Sequence, residues 1–143
     1  MEKNKYHILV VDDDIKIKEL IKQFLIEKGL IVSTASDAKE AKEKIEIFNF
    51  NLIVLDVMMP GQSGYELTKE LKSSKNVPII LLTAKGEAES RIHGLEIGAD
   101  DYLGKPFEPR ELLLRIKNII KSNSNQNLLE DSKIGEAELN LNK

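Results

Sequence analysis

The chain has 143 residues, 41% of them apolar and 31% charged, with a formal net charge of −3 and no cysteine. That length suits one domain with a proper core plus a fragment, and the composition is that of an ordinary soluble globular protein. The slight acidity argues against a surface built for nucleic acid, and the missing thiols exclude disulfides, thiolate metal sites and thiol redox chemistry.

The opening stretch has too short an apolar run for a signal peptide, no run reaches the length of a membrane span, and no internal repeat is present. A cytoplasmic location is expected. In chain order, His7–Val11 reads as a first strand and ends in three aspartates, Asp12, Asp13 and Asp14. An amphipathic helix follows, with Ile17, Leu20, Ile21, Phe24 and Leu25 at helical spacing, Asp14 as its N-cap and Gly29 as its stop. Leu30–Ala35 is a second strand. Asp37, with Glu40 three residues on, caps a second helix that presents Ala38, Ala41, Ile45 and Phe48. Leu52–Asp56 is a third strand, and Pro60–Gly64, "PGQSG", turns into a third helix. Pro78–Thr83 and Asp101–Gly104 are the last two strands, with a fourth helix between them. A fifth helix follows Pro109, its stripe formed by Leu112, Leu113, Ile116, Ile119 and Ile120. Ile8–Val11, Leu52–Leu55 and Ile79–Leu82 are apolar without a break, the mark of strands covered on both faces. Five β-α units of this kind predict an α/β fold with a doubly wound, five-stranded parallel sheet. This domain covers residues 1–121. Residues 122–131, opening with "SNSNQN", read as a flexible linker, and residues 132–143 as the start of further strand structure too short to be a domain.

In open parallel sheets, ligands bind beyond the carboxyl ends of the strands. There the sequence places Asp12 and Asp13 after the first strand, Asp56 at the end of the third, Thr83 at the end of the fourth and Lys105 after the fifth. Three hard carboxylates without His or Cys favour Mg²⁺, which would relieve their mutual repulsion. With Thr83 and Lys105 added, the site suits a phosphoryl group. A lone strand-end aspartate is most often a cap, as Asp14 is read here. His7 and His93 are read as structural or surface residues. No GxxxxGK[ST] loop is present, so nothing points to a nucleotide.

The motifs "VVDDD", "LIVLDVMMPG", "LLTA" and "GLEIGADDYL", followed by Lys105-Pro106-Phe107, resemble the receiver domain of two-component response regulators, of the CheY-like flavodoxin fold, over roughly His7 to Ile120. The resemblance implies that Asp56 is the phosphoacceptor, that Asp12 and Asp13 hold Mg²⁺ with Asp56 and the Met58 carbonyl, and that Lys105 contacts the phosphate. It implies that Thr83 is the switch hydroxyl, that Tyr102 is the rotating aromatic and that Lys105–Pro106 is a cis peptide. The phosphodonor is then a sensor histidine kinase, expected to dock near Ile15, Ile17, Lys18 and Pro106. Gly104 departs from relatives that carry a side chain there, which loosens the loop without loss of chemistry. On that resemblance the protein is expected to autocatalyse its own phosphorylation and to be a switch rather than an enzyme. The resemblance also implies that Met58 and Lys85 flank the path of a hydrolytic water; neither is a good general base, so slow loss of phosphate is expected.

The charges from residue 91 to residue 117 read by default as a solvated face. Their pattern nonetheless resembles the OmpR/PhoB-type subfamily, in which phosphorylated receivers dimerise through the fourth helix, fifth strand and fifth helix. That resemblance implies an apolar patch of Ile92, Leu95 and Leu114 ringed by Arg91 with Glu111 and Asp101 with Arg115, together with Asp100. The tail "IGEAELNLN" resembles the first strands of that subfamily's winged-helix domain, so DNA would be bound only through a part absent from this chain. Two other readings compete. One is a stand-alone receiver that docks a partner. The other is a haloacid dehalogenase-type phosphatase using Asp12, Asp14, Thr83, Lys105 and Asp100–Asp101. The second fits poorly, because Lys16 occupies a position where that family wants Thr or Val, its acidic pair should follow the lysine, and Asp56 is left without a role.

Overall fold

The computed structural model describes residues 5–84, 92 and 96–135, with side chains described for 5–83, 92 and 96–123. The strands are β1 (His7–Val11), β2 (Ile31–Ala35), β3 (Leu52–Asp56), β4 (Ile79–Ala84) and β5 (Asp101–Lys105). The four described helices are α1 (Ile15–Glu27), α2 (Ala38–Ile47), α3 (Gly64–Ser74) and a C-terminal helix, α4 (Pro109–Gly135). All strands pair in parallel in the order β2-β1-β3-β4-β5. This is the doubly wound sheet the sequence predicts.

The three unbroken apolar runs are the three central strands, and every side chain in Ile8–Val11, Leu52–Leu55 and Ile79–Leu82 is buried. Alternation along each strand divides the core into two layers. Leu9, Val11, Ile53, Leu55, Ile79 and Leu81 pack with Ala41, Ile45, Leu67 and Leu71 of α2 and α3. Ile8, Val10, Leu52, Val54, Ile80 and Leu82 pack with Ile21 and Leu25 of α1 and with Leu112, Leu113, Ile116 and Ile120 of α4. The first helix buries a strip narrower than its apolar stripe, with Leu20 largely exposed, and Phe48 follows the end of α2 as its C-cap.

The caps follow local chemistry. Asp14 accepts from the N–H groups of Lys16 and Ile17, and Asp37 from that of Glu40. Gly29, at φ +94°, ends α1; its N–H reaches the Ile26 carbonyl while that of Leu30 reaches Leu25, which satisfies two orphan carbonyls of the last turn. Leu30 therefore serves to close the helix, and β2 starts at Ile31. The third helix starts with a reciprocal cap between Ser63 and Glu66. His7 is structural, as expected: its Nε2 lies 2.8 Å from Ser33 Oγ, and its ring meets Phe48 and Phe50 edge-on.

One expectation needs correcting. The backbone of residues 122–131, read as a flexible linker, continues α4 as helix to Gly135. Once Leu112, Ile116 and Ile120 have packed the nucleus, each further residue adds a helical hydrogen bond at little cost, even with Ser and Asn in the chain. The strand structure read from Ser132 starts inside this helix, and residues 136–143 lie outside the described residues. Of the fourth helix expected between β4 and β5, Ile92 and Glu96 are helical; Lys85, Arg91, His93 and Leu95 lie outside the described residues.

The first residue of α3 is pressed against the end of β3. A Cβ on Gly64 would stand 2.3 Å from the Asp56 carbonyl oxygen and 2.7 Å from Val57 Cα. Both are backbone atoms that cannot swing aside, so Gly64→Ala forces the helix off the strand. We expect it to lower stability by about 1–3 kcal/mol, the range of overpacked positions, as read from denaturant midpoints. An unchanged midpoint would show that α3 can shift at no cost.

Candidate functional site

The chain order of the sheet reverses between β1 and β3, so the loops after these two strands diverge and leave a crevice at their carboxyl ends. Asp12 lies in that crevice and is fully buried. Its N–H donates to the Ala35 carbonyl at 3.1 Å, and its Oδ1 accepts from the N–H of Asp14 at 2.9 Å. Asp13, next to it, is exposed. Asp56 ends β3 and is buried, with Oδ1 accepting from the N–H of Met58 at 3.3 Å. The three residues offer carboxylate oxygens that all lie within 4.8 Å of one another.

The balancing cation comes from the far edge of the sheet. Lys105 ends β5, and its Nζ lies 3.4 Å from both Asp12 Oδ2 and Asp56 Oδ1. The Lys105–Pro106 peptide is cis, as the resemblance implied. One ammonium does not neutralise three carboxylates. Burial, and after it the neighbouring charge of Asp12, push the Asp56 carboxyl up to about 6; Lys105 and the Met58 N–H pull it back only in part.

Thr83 is buried near the end of β4. Leu82 pairs with Asp56, so Thr83 stands one residue further along at the same edge, and it pairs with Gly104 just before Lys105. Tyr102 is half-buried in β5 and packs on the α2–α3 side of the sheet. The residues read as a site thus come together as Asp12, Asp13, Asp56 and Lys105, with Thr83 beside them. Met58, whose N–H reaches Asp56, has its side chain exposed. Hard oxygen donors converging around unbalanced negative charge are the set a divalent ion such as Mg²⁺ takes.

Among the residues read as an interface, Ile92 and Leu114 are exposed apolar side chains, 55% and 60% accessible. The Arg115 guanidinium is paired within its own chain, through Nη1 to both carboxylate oxygens of Asp101 at 2.8 and 2.9 Å and through Nη2 to Glu111 at 3.2 Å. Asp100 turns to a different task. It accepts from Lys72 Nζ and from the Ile79 N–H, both at 2.8 Å, and so ties α3 to the start of β4. Two contributors escape a sequence reading. Gly64, part of a quoted motif but given no role there, sets how closely α3 approaches Asp56. Lys18, expected on the surface where a kinase docks, is instead buried, with Nζ 2.6 Å from Ser36 Oγ; a lysine on a helix gives no sequence signal for this burial.

The raised ionisation of Asp56 has a thermodynamic sign. Its folded value, about 6, lies above its ordinary 3.8. Folding therefore favours the neutral acid, and this contribution is full below pH 4 and lost as pH rises through 6. An amide in place of this carboxyl cannot ionise. Without metal, the stability of Asp56→Asn relative to the parent should rise between pH 4 and pH 7 by up to about 3 kcal/mol. Denaturant titrations in chelator at the two pH values check this, and a pH-independent difference would show that Asp56 is not crowded.

Comparison with known proteins agrees with this geometry. Residues 8–117 match the family described as "Response regulator receiver domain". The chain is 55% identical over 115 residues to protein PetR of Rhodobacter capsulatus, covering 80% of this chain and 48% of PetR. It is 43% identical to the transcriptional regulatory protein ResD of Bacillus subtilis, over 82% of this chain and 49% of ResD. A protein of Cyanophora paradoxa named "Probable transcriptional regulator ycf27" is 46% identical over 95% of this chain and 57% of its own length. The chain spans about half the length of these relatives. Among solved structures, the receiver domain of the Francisella response regulator 1452 superposes with a TM-score of 0.79 at 42% identity, covering 83% of this chain and 99% of that one. By sequence and by fold, this chain belongs to the response regulator receiver domain family.

Proposed function

We propose that the chain takes a phosphoryl group from a sensor histidine kinase onto Asp56 in the presence of Mg²⁺, and so acts as a switch rather than a turnover enzyme. The observation that carries this reading is the cluster of Asp12, Asp13 and Asp56 oxygens within 4.8 Å, with Lys105 Nζ 3.4 Å from two of its members. Asp56 ends a rigid, fully paired strand, which holds its carboxylate for in-line attack on phosphorus; the bond from phosphorus to the donor's leaving group breaks as the new P–O bond forms. Asp12, Asp13, Asp56 and the Met58 carbonyl would hold Mg²⁺, which supplies positive charge to the phosphoryl oxygens. Lys105 contributes a second positive charge from the β5 side.

The phosphoryl group then offers oxygens to Thr83, one residue beyond the Asp56 pairing level. Drawing that hydroxyl in vacates space on the β4–β5 side, where Tyr102 can follow, and the face of β5 and α4 changes shape. On this reading the altered face joins two chains, with Ile92 and Leu114 as exposed apolar contacts. It thereby controls a DNA-binding part of a longer protein, in keeping with relatives named as transcriptional regulators, about half of whose length this chain spans.

Incubation with a small acyl phosphate and Mg²⁺ should add one phosphoryl mass, and Asp56→Asn should take none. Uptake on a carboxylate that survives this change removes the site assignment. Asp13→Ala should weaken Mg²⁺ binding about tenfold or more, the cost of one charge-assisted contact, as measured by calorimetry.

Phosphorylation should also shift the sedimenting species from monomer to dimer. Leu114→Glu, a change at an exposed helical position, should leave the fold intact and weaken the phosphorylated dimer at least about tenfold, as expected for a central apolar contact. Sedimentation equilibrium with and without phosphodonor reads this directly, and a dimer indifferent to the change would place the interface elsewhere.

A further inference from the structure

Met58 and Met59 are adjacent, yet the fold presents their thioethers in opposite ways. Met59 is 9% exposed and belongs to the core between the sheet, α2 and α3. Met58 is 73% exposed. Its N–H donates to Asp56 Oδ1 at 3.3 Å, so its side chain springs from a point one bond away from an atom touching the nucleophile. An unbranched, flexible side chain rooted there is long enough to reach the space in front of that carboxylate. Exposed thioethers are open to oxidation, and the product is returned to methionine by sulfoxide reductases.

We propose that Met58 is a reversible oxidation site, and that its sulfoxide shortens the lifetime of the phosphoryl group on Asp56. The second half of this inference rests on the phosphoacceptor reading above. In the oxidation, the Met58 sulfur attacks one oxygen of a hydroperoxide. The O–O bond breaks, sulfur gains the oxygen and loses two electrons, and the peroxide is reduced to water or an alcohol. The consequence follows from hydrogen bonding. A thioether is a weak acceptor that cannot fix a water molecule, whereas a sulfoxide oxygen is a strong one. Held by that oxygen at the open side of the site, a water attacks phosphorus, the bond from phosphorus to the Asp56 oxygen breaks, and the carboxylate leaves with the electron pair. The water's proton passes to the departing phosphate. Met58 acts here as a positioning residue.

The test uses the full chain, dilute hydrogen peroxide and fragment mass spectrometry, followed by a small acyl phosphate with Mg²⁺ and measurement of phosphoprotein decay after donor removal. We expect one oxygen on Met58 before any on Met59. Decay should quicken about 3- to 10-fold, the scale of one net hydrogen bond, and methionine sulfoxide reductases should restore the slower rate. In Met58→Leu the decay rate, whatever its value, should not respond to peroxide, while Met59→Leu should keep the response. Oxidation at Met59 first or equally, an unchanged or slower decay in the Met58 sulfoxide, or a peroxide response surviving in Met58→Leu would each overturn the proposal. If the untreated protein takes no phosphoryl group on Asp56, the phosphoacceptor reading itself has failed, which is seen before peroxide is added, and the inference falls with it.

Discussion

Three carboxylates within 4.8 Å of one another, two of them buried, set the terms for the rest of this molecule. Like charges at that separation repel strongly where water is excluded. The sheet enforces the crowding, because Asp12 and Asp56 are the polar ends of strands whose apolar residues are sealed on both faces. Relief within the chain comes from Lys105, and its arrival depends on β5 pairing with β4 in register. The site is thus not a local motif. Its charges come from positions 12, 13, 56 and 105, and it exists only when most of the sheet has formed. Holding these charges together offsets part of the stability gained by packing the core, as is common where a fold keeps a reactive centre poised.

Much of this was legible from the order of residues. The central strands declared themselves as unbroken apolar runs, a pattern that a parallel sheet covered on both faces requires. Asp14 and Asp37 declared two helix starts, because a side chain that caps acts within three residues of itself. The convergence of Asp12, Asp56, Thr83 and Lys105 could be read because parallel strands put all their carboxyl ends at one edge. What escaped was whatever depends on distance between elements. The contact of Gly64 with the Asp56 backbone reflects how closely α3 approaches β3, which no local pattern encodes. Asp100 meets Lys72 across 28 residues, and Lys18 meets Ser36 across 18. The helical backbone after Lys121 escaped for a different reason, since composition reports weak preference while a packed helix propagates past it.

The face formed by β5 and α4 shows the same separation of local from relational information. Asp101, Glu111 and Arg115 were legible as opposite charges in one region. Their bonding within a single chain follows from the crossing of β5 under α4 and from the one-turn spacing of Glu111 and Arg115. An arginine engaged by two carboxylates of its own chain holds its planar fork in a fixed orientation. The charged surface next to the exposed Leu114 is therefore stiffer than a set of free surface charges.

The close contact at Gly64 has a mechanical consequence. On one side, the backbone of Asp56 is butted against the start of a helix, with no room for even a methyl group between them. On the other side stand Thr83 of β4, one residue beyond the Asp56 pairing level, and Lys105 of β5, the last strand of the sheet. On the phosphoacceptor reading, bulk and charge added to Asp56 meet an abutment of backbone in the first direction and side chains of β4 and β5 in the second. On that reading the displacement is therefore vectorial, with its fulcrum at a residue that has no side chain and its travel toward β4 and β5.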